Sequence, residues 1–175
     1  MTTLAPRLEA LPTFRRVRLT AGEPGPDDRR LPPPGAAPRP RPAPSPLPRN
    51  LMDVRVLVVD DDESTLDFLV AALGYCGAQV TAATSAAEAM ATIAKARPDV
   101  VLSDIAMREH DGYWLLREIR GLPDPVLSRV PVIAATAYGR VHSQDRTRAA
   151  GFVGHLAKPV DPETVCRAIA AALGR

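Results

Sequence analysis

Six side chains in this sequence have types that together could bind and transfer a phosphoryl group. Each stands at the end of a short apolar run or just after one: Asp60, Asp61, Asp62, Asp104, Thr136 and Lys158. Carboxylates crowded after a buried run repel each other, and a bound cation relieves that repulsion. Oxygen ligands suit Mg²⁺, which usually takes one or two carboxylates from a protein. The acidic triplet therefore indicates a magnesium site.

A phosphoryl group beside such a metal needs an acceptor and further neutralising groups. A carboxylate across the cleft, Asp104, can attack phosphorus and form an aspartyl phosphate. The compact ammonium of Lys158 can neutralise one phosphoryl oxygen, and the Thr136 hydroxyl can donate to another. Each residue also has an ordinary structural explanation, as a helix cap or a solvated residue at a strand end. The chemical interpretation depends on all of them meeting in space.

The pattern of apolar residues from position 54 onward predicts five strands and five helices in strict alternation. Short β-branched runs alternate with a 3.6-residue period, which is typical of a parallel sheet covered by helices on both faces. The predicted strands are residues 54–59, 79–82, 100–103, 130–135 and 155–157.

Local signals place the predicted helices between these strands. The first predicted helix has an apolar stripe formed by Leu66, Leu69, Val70 and Leu73. Gly74 and Gly77 are expected to end this helix. Ser85 and Glu88 form a capping-box pattern before a helix that runs through residue 96. The remaining helices are predicted at 113–120, at 143–150 and from Pro162 onward.

Ligands of an open parallel sheet bind beyond the carboxyl ends of its strands. The predicted strands one, three, four and five lead into the acidic triplet, Asp104, Thr136 and Lys158 respectively. We therefore expect all of these residues at one edge of the sheet.

Residues 1–50 differ in composition from residues 51–175. They hold 13 of the 19 prolines and nine arginines against four acids, so the segment carries +5 and the remainder −3. Pro-rich and Arg-rich sequence with few large apolar residues cannot offset its ordering entropy, so 31–49 is predicted to be disordered or polyproline-like. We interpret 1–50 as a solvated tail or linker, or as sequence that is not translated if Met52 is the true initiator.

Other features bear on the compartment of the protein. The two cysteines, Cys76 and Cys166, are far apart and lack CxxC or metal-ligand spacing, so they are expected to be buried thiols of a reducing compartment. The chain lacks an apolar signal segment and any apolar stretch long enough for a membrane span. We expect a cytoplasmic protein without membrane contact. Because the chain ends at Arg175, just after the fifth helix, we expect no further output domain.

Five motifs in order resemble the receiver domain of bacterial two-component response regulators. They are VLVVDDD (56–62), PDVVLSD (98–104), DGYWLL (111–116), PVIAATA (131–137) and HLAKPVDPE (155–163). The resemblance covers residues 54–174. The residues of its motifs are most similar to those of receivers attached to hybrid histidine kinases. It implies a doubly wound (βα)5 flavodoxin-like fold with a five-stranded parallel sheet of order 2-1-3-4-5, and a receiver domain at 51–175.

The resemblance also assigns roles to individual residues. It implies that Asp104 is the phosphoacceptor, that Asp61 binds Mg²⁺ directly, and that Asp60 binds it through water. The backbone carbonyl of Ala106 completes the metal ligands, while Asp62 starts a helix. Thr136 and Lys158 are expected to contact the phosphoryl group, and a cis peptide is expected before Pro159.

Three positions depart from the family pattern. Arg108 and Glu109 stand where the family usually has Pro and Gly, so a rigid loop is not implied there. His155 occupies the position of a switch aromatic, and its polarity predicts an altered coupling to Thr136. Tyr138 lies where the resemblance implies an influence on the lifetime of the aspartyl phosphate.

These observations predict a single-domain response regulator in phosphorelay signalling. Asp104 would accept a phosphoryl group from a phosphohistidine with Mg²⁺ as cofactor, and the face of helix four, strand five and helix five would switch binding of a downstream protein. The partners are a histidine kinase or phosphotransfer protein, and receivers often form homodimers through helices four and five. The protein is not expected to be an enzyme beyond catalysing its own phosphorylation and slow dephosphorylation.

Three alternatives remain. A phosphorylation-independent interaction module on the same fold would be favoured if the acidic pair were broken or the lysine were missing. The acidic pair and the lysine are both present here. A nucleic-acid binder would use the basic tail, which lacks interleaved aromatic residues and a recognisable DNA-binding motif. A phosphatase or nucleotide enzyme needs a second acid after Asp104 or a Gly-rich loop after the first strand, and neither is present.

Overall fold

The computed structural model describes residues 50–137 and 143–175, so the predictions for residues 1–49 and for Tyr138 lie outside the described residues. The strands are β1 Arg55–Val59, β2 Gln79–Ala83, β3 Val100–Asp104, β4 Val132–Thr136 and β5 Gly154–Ala157. The helices are α1 Glu63–Tyr75, α2 Ala86–Ala96, α3 Gly112–Arg120, α4 Gln144–Ala150 and α5 Pro162–Ala172, and a short 3-10 helix covers Leu127–Arg129.

The five strands form one parallel sheet in the order β2-β1-β3-β4-β5, as predicted. β1 pairs with both β2 and β3, so the strand order reverses beside it. This reversal opens a crevice at the carboxyl ends of β1 and β3, where open α/β sheets bind ligands. The doubly wound α/β fold is therefore confirmed.

Helices cover both faces of the sheet because successive side chains of each strand point to opposite sides. Val56 and Val58 belong to the buried cluster that includes α1 and α5. Leu57 and Val59 belong to the cluster that includes α2 and α3. With both faces buried, the strand is apolar at consecutive positions, which is typical of parallel sheets.

Helix α1 differs from its prediction in two respects. Val70 is 36 % exposed, whereas Ala72 is buried beside Leu69 and Leu73. At 100° per residue, Val70 falls at the margin of the buried arc and Ala72 falls within it. The helix also continues through Gly74, and the chain takes the left-handed conformation only at Gly77, with a φ of 93°.

The predicted caps of α2 and α5 are present, with one change of partner. Ser85 Oγ accepts a hydrogen bond from the Glu88 N–H at 3.2 Å. The Glu88 carboxylate, however, accepts from the N–H and hydroxyl of Thr84 at 2.7 and 2.8 Å, one residue earlier than a capping box requires. Pro162 stands in the first turn of α5, as predicted.

The prediction of two free thiols is wrong. Cys76 and Cys166 form a disulfide with a Cα to Cα distance of 6.6 Å, because α1 packs against α5 and brings together positions 90 residues apart. The cysteine argument for a reducing compartment therefore no longer applies. Within residues 50–137 and 143–175, no helix is long and apolar enough to cross a bilayer.

Candidate functional site

The carboxyl ends of the strands bring the predicted residues to one edge of the sheet. Asp60 follows β1, Asp104 ends β3, and Thr136 ends β4. Lys158 follows β5, and its backbone N–H donates to the Thr136 carbonyl at 3.0 Å. Asp60, Asp104 and Thr136 are buried. Together these residues form a polar crevice at the end of an apolar sheet.

Lys158 joins the two buried carboxylates across this crevice. Its Nζ lies 2.6 Å from Asp60 Oδ2 and 3.0 Å from Asp104 Oδ2. Its side chain is only 16 % exposed. The ammonium is therefore fixed between two oxyanions before any phosphoryl group arrives.

Burial and pairing act in opposite directions on these charges. Burial raises the pKa of Asp60. The hydrogen bonds from Lys158 and from the Asp62 N–H lower this pKa, but by less, so the pKa is raised overall. Burial by itself would lower the pKa of Lys158, but its bonds to Asp60 and Asp104 outweigh that effect and raise the pKa. The lysine therefore stays charged, whereas burial disfavours the charged form of Asp60.

The backbone of the following loop orients Asp104. Its Oδ1 accepts the N–H groups of Ile105 and Ala106 at 2.7 and 3.3 Å. Its Oδ2 faces Lys158. The two carboxylate oxygens thus have different surroundings, and Oδ2 is the one that shares the crevice with the ammonium.

Gly112, at the start of α3, packs directly against this loop. Its N–H donates to the Ile105 carbonyl at 3.0 Å. A Cβ at this position would lie 2.5 Å from the Asp104 carbonyl oxygen and 3.0 Å from the Ile105 Cα. Only glycine lets the helix approach the strand end so closely. The glycine of the DGYWLL motif could have indicated this contact, although the sequence analysis did not assign it that role.

The acidic residues fit a divalent cation. Asp60, Asp61 and Asp104 each place a carboxylate oxygen within 4.8 Å of the others. Hard oxygen donors at such spacing are the ligands that Mg²⁺ prefers. Asp62 is separate from this group, because its side chain accepts the Thr65 N–H at 2.8 Å and caps α1, as predicted. The role of the Ala106 carbonyl stays a prediction.

Arg108, noted in the sequence only as a departure from the family, contacts Asp61. Its backbone N–H and its Nε lie 3.4 and 3.6 Å from Asp61 Oδ2. Sequence spacing offered no signal for this pair, since the two residues are 47 positions apart. The next residue, Glu109, has a φ of 62°, so the loop keeps a left-handed turn where the family usually has glycine.

His155 lies on β5 and faces α4. Its Nδ1 is 3.3 Å from the Thr147 hydroxyl oxygen, within hydrogen-bond distance. Thr147 is the buried residue of α4. The histidine therefore links β5 to α4 through a polar contact.

A cavity of about 700 Å³ opens beside the crevice. Its walls come from the first turns of α1, the end of β4 and the segment after β5: Asp62, Ser64, Thr65, Phe68, Ala137, Lys158, Pro159 and Val160. Phe68 is 43 % exposed on this wall. The peptide bond between Lys158 and Pro159 is cis, as the resemblance implied.

Known proteins share this sequence pattern and fold. An uncharacterised 14.6 kDa protein from the sodA1 3′ region of Leptolyngbya boryana is 39 % identical over 121 residues, covering 69 % of this chain and 91 % of that protein. Response regulator MprA of Mycobacterium tuberculosis is 34 % identical over 124 residues, covering 71 % of this chain and 52 % of MprA. The matched region thus spans about half the length of MprA.

A solved structure has the same architecture. The receiver domain of the sensor histidine kinase PA1611 from Pseudomonas aeruginosa superposes with a TM-score of 0.63 at 28 % identity, covering 70 % of this chain and 99 % of that domain. That structure has a magnesium ion coordinated in its active-site cleft. Residues 56–170 match the family described as the response regulator receiver domain. The chain therefore belongs to the receiver domain family of two-component response regulators.

Proposed function

We propose that this protein is a phosphorelay response regulator that accepts a phosphoryl group on Asp104. The single observation that carries the proposal is the position of Lys158 Nζ, 3.0 Å from Asp104 Oδ2 and 2.6 Å from Asp60 Oδ2. An ammonium held between an acceptor carboxylate and a carboxylate beside it suits the charge that develops on a transferred phosphoryl group.

The donor in this proposal is a phosphohistidine of a histidine kinase or phosphotransfer protein. Asp104 Oδ2 forms a bond to phosphorus as the phosphorus–nitrogen bond breaks, and the imidazole leaves with the bonding electron pair and takes a proton. Lys158 compensates charge on one phosphoryl oxygen. The Thr136 hydroxyl, at the end of β4, donates to another once the group is in place.

Magnesium is the cofactor of the proposal. It would be held directly by Asp61 and Asp104, through water by Asp60, and by the Ala106 carbonyl, and it would neutralise the negative charge of the phosphoryl group. The chain's own residues set the remaining conditions. The loop N–H groups hold Asp104 in place, and Lys158 keeps the acceptor oxygen turned toward the crevice.

The donor protein would dock beside the crevice. The cavity between α1 and the segment after β5 is mainly apolar and includes the exposed Phe68 and the half-buried Val160. An apolar wall next to Lys158 can bury a partner's side chains while its phosphohistidine reaches Asp104.

The output of the proposed switch runs through α4, β5 and α5. Movement of Thr136 toward the phosphoryl group pulls on the end of β4, which pairs with β5. His155 on β5 contacts Thr147 of α4. A downstream protein, or a second copy of the chain, can prefer one arrangement of this face. Such a partner then binds or dissociates when the arrangement changes. No turnover of an external substrate is proposed beyond self-phosphorylation and slow hydrolysis of the acyl phosphate.

The test is phosphorylation of the purified full-length chain by acetyl phosphate and Mg²⁺, followed by intact mass spectrometry. The wild type should gain the mass of one phosphoryl group, and Asp104→Asn should gain none. Asp62→Asn is the matched control, because it alters a neighbouring acid that caps α1, and asparagine also caps helices. Equal labelling of the wild type and Asp104→Asn, or no labelling of the wild type, would contradict the proposal.

A further inference from the structure

Arg108 contacts the carboxylate that the proposed function gives to Mg²⁺. Its Nε is 3.6 Å, and its backbone nitrogen 3.4 Å, from Asp61 Oδ2. The guanidinium lies at the mouth of the crevice, because the Arg108 side chain is 90 % exposed and that of Asp61 is 25 % exposed. The arginine and the loop that carries it are thus attached to a single oxygen of the metal site.

Among residues 50–137 and 143–175, two cations contact the carboxylates of the site, and each contacts different ones. Lys158 takes Asp60 and Asp104 and is 16 % exposed. Arg108 takes Asp61 and is largely in solvent. An incoming divalent ion must bind the Asp61 carboxylate, and it is repelled by the positive charges of Arg108 and Lys158. The exposed guanidinium can move away into water, whereas the half-buried ammonium has its position fixed by two carboxylates.

We propose that Arg108 competes with Mg²⁺ for Asp61 and so sets the metal affinity of this receiver. In the metal-free protein, Arg108 neutralises Asp61 and ties the loop between β3 and α3 to the end of β1. Binding of Mg²⁺ displaces the guanidinium and releases the loop. This inference rests on the magnesium site of the proposed function, but it does not require that Asp104 be phosphorylated.

The exposure of the Arg108 to Asp61 ion pair also limits how much Arg108 can change the Mg²⁺ affinity. An ion pair between exposed side chains contributes little, and salt screens it further. Removing the guanidinium should therefore tighten Mg²⁺ binding by about two- to fivefold at low ionic strength. The difference should shrink as ionic strength rises. A role confined to loop packing would not depend on salt in this way.

The experiment is a Mg²⁺ titration of the full-length chain, followed by calorimetry and by the fluorescence of Trp114. Trp114 is the one tryptophan of the chain, and its ring stacks at 3.9 Å on His110, which belongs to the same loop as Arg108. Arg108→Ala should bind Mg²⁺ more tightly than the wild type, and Arg108→Lys should lie closer to the wild type. Circular dichroism checks that each variant is folded.

The control is Arg117→Ala on α3. Arg117 is exposed, pairs with Glu118, and carries the same charge as Arg108. Its removal should leave the Mg²⁺ affinity unchanged. Equal or weaker binding by Arg108→Ala, or equal tightening by Arg117→Ala, overturns the role of Arg108. Failure of the wild type to bind Mg²⁺ at all instead contradicts the metal site of the proposed function.

Discussion

The Nζ atom of Lys158 lies 2.6 Å from Oδ2 of Asp60, although the two residues are 98 positions apart in the chain. The pair fixes the end of β5 to the end of β1 across two intervening strands of the sheet. Asp104, on one of those strands, is the second carboxylate within reach of the same ammonium. Charge balance in the crevice therefore depends on this lysine.

Lys158→Met is expected to slow phosphorylation of Asp104 by about a hundredfold, the usual order of the loss when one preorganised group that stabilises transition-state charge is removed. The measurement is the time course of the phosphoryl mass shift with acetyl phosphate and Mg²⁺. Lys95→Met is the matched control, because Lys95 is the only other lysine of the chain and is exposed in the last turn of α2. Equal rates for the two variants would refute a role for Lys158 in the reaction.

Asp60→Asn is expected to stabilise the metal-free protein at neutral pH. Burial raises the pKa of Asp60 despite the bonds from Lys158 and the Asp62 N–H. A carboxyl with a raised pKa favours the folded state at low pH, and this advantage is lost as pH rises through the folded pKa. We expect a gain in the free energy of unfolding at neutral pH, because the buried charge is removed while Lys158 keeps Asp104 as a partner. The gain should disappear as pH falls to the ordinary carboxyl range.

Urea denaturation with a chelator present, at a series of pH values, measures this gain. Asp62→Asn is the control of opposite sign. The Thr65 N–H holds the pKa of Asp62 below its usual value, so its charge stabilises the folded state above the ordinary carboxyl range and this contribution is lost at lower pH. Asp62→Asn should therefore lose stability at neutral pH. A loss of stability in Asp60→Asn at neutral pH would disprove the argument from burial.

The order of the elements and the place of the site could be predicted from the sequence, because both follow from periodicity. β-branched runs alternating with helical stripes indicate parallel strands, and the carboxyl ends of parallel strands share one edge. Asp104, Thr136 and Lys158 could therefore be placed together before any distance was known. The N-cap role of Asp62 followed from its position just before α1.

Contacts that depend on distant packing could not be predicted in this way. The Arg108 to Asp61 pair and the Cys76 to Cys166 disulfide join residues 47 and 90 positions apart. Neither pair has a spacing that distinguishes it from unpaired residues. Val70 was misplaced because a helical stripe in the sequence does not fix where the buried arc of the helix ends.

Gly112→Ala is expected to destabilise the protein by about 1–3 kcal/mol, the usual cost of inserting a methyl group into a tightly packed site. The added Cβ would lie 2.5 Å from the Asp104 carbonyl oxygen, so strand end and helix must separate. The same movement displaces Asp104 and should slow its phosphorylation. Chemical denaturation and the phosphoryl mass shift measure the two effects.

Gly74→Ala provides the control for Gly112→Ala. Gly74 is a helical residue of α1, and a Cβ there meets nothing within 4 Å. Alanine should raise stability by about 0.5–1 kcal/mol, because it restricts the unfolded chain and fits the helix. A Gly112→Ala variant as stable and as reactive as the wild type would show that the strand end tolerates the extra atom.

Loss of the Cys76 to Cys166 disulfide is expected to lower the free energy of unfolding by about 2–5 kcal/mol, since the bond closes a long loop and restricts the unfolded chain. The measurement compares denaturation of the wild type before and after full reduction, with reduction verified by mass. The double variant Cys76→Ala, Cys166→Ala is the control, and a reducing agent should not change its stability. Because both sulfurs are bonded to each other, alkylation of the oxidised protein should fail even after unfolding. A wild type whose stability is the same in both redox states, or whose thiols react without reduction, would contradict the cross-link between α1 and α5.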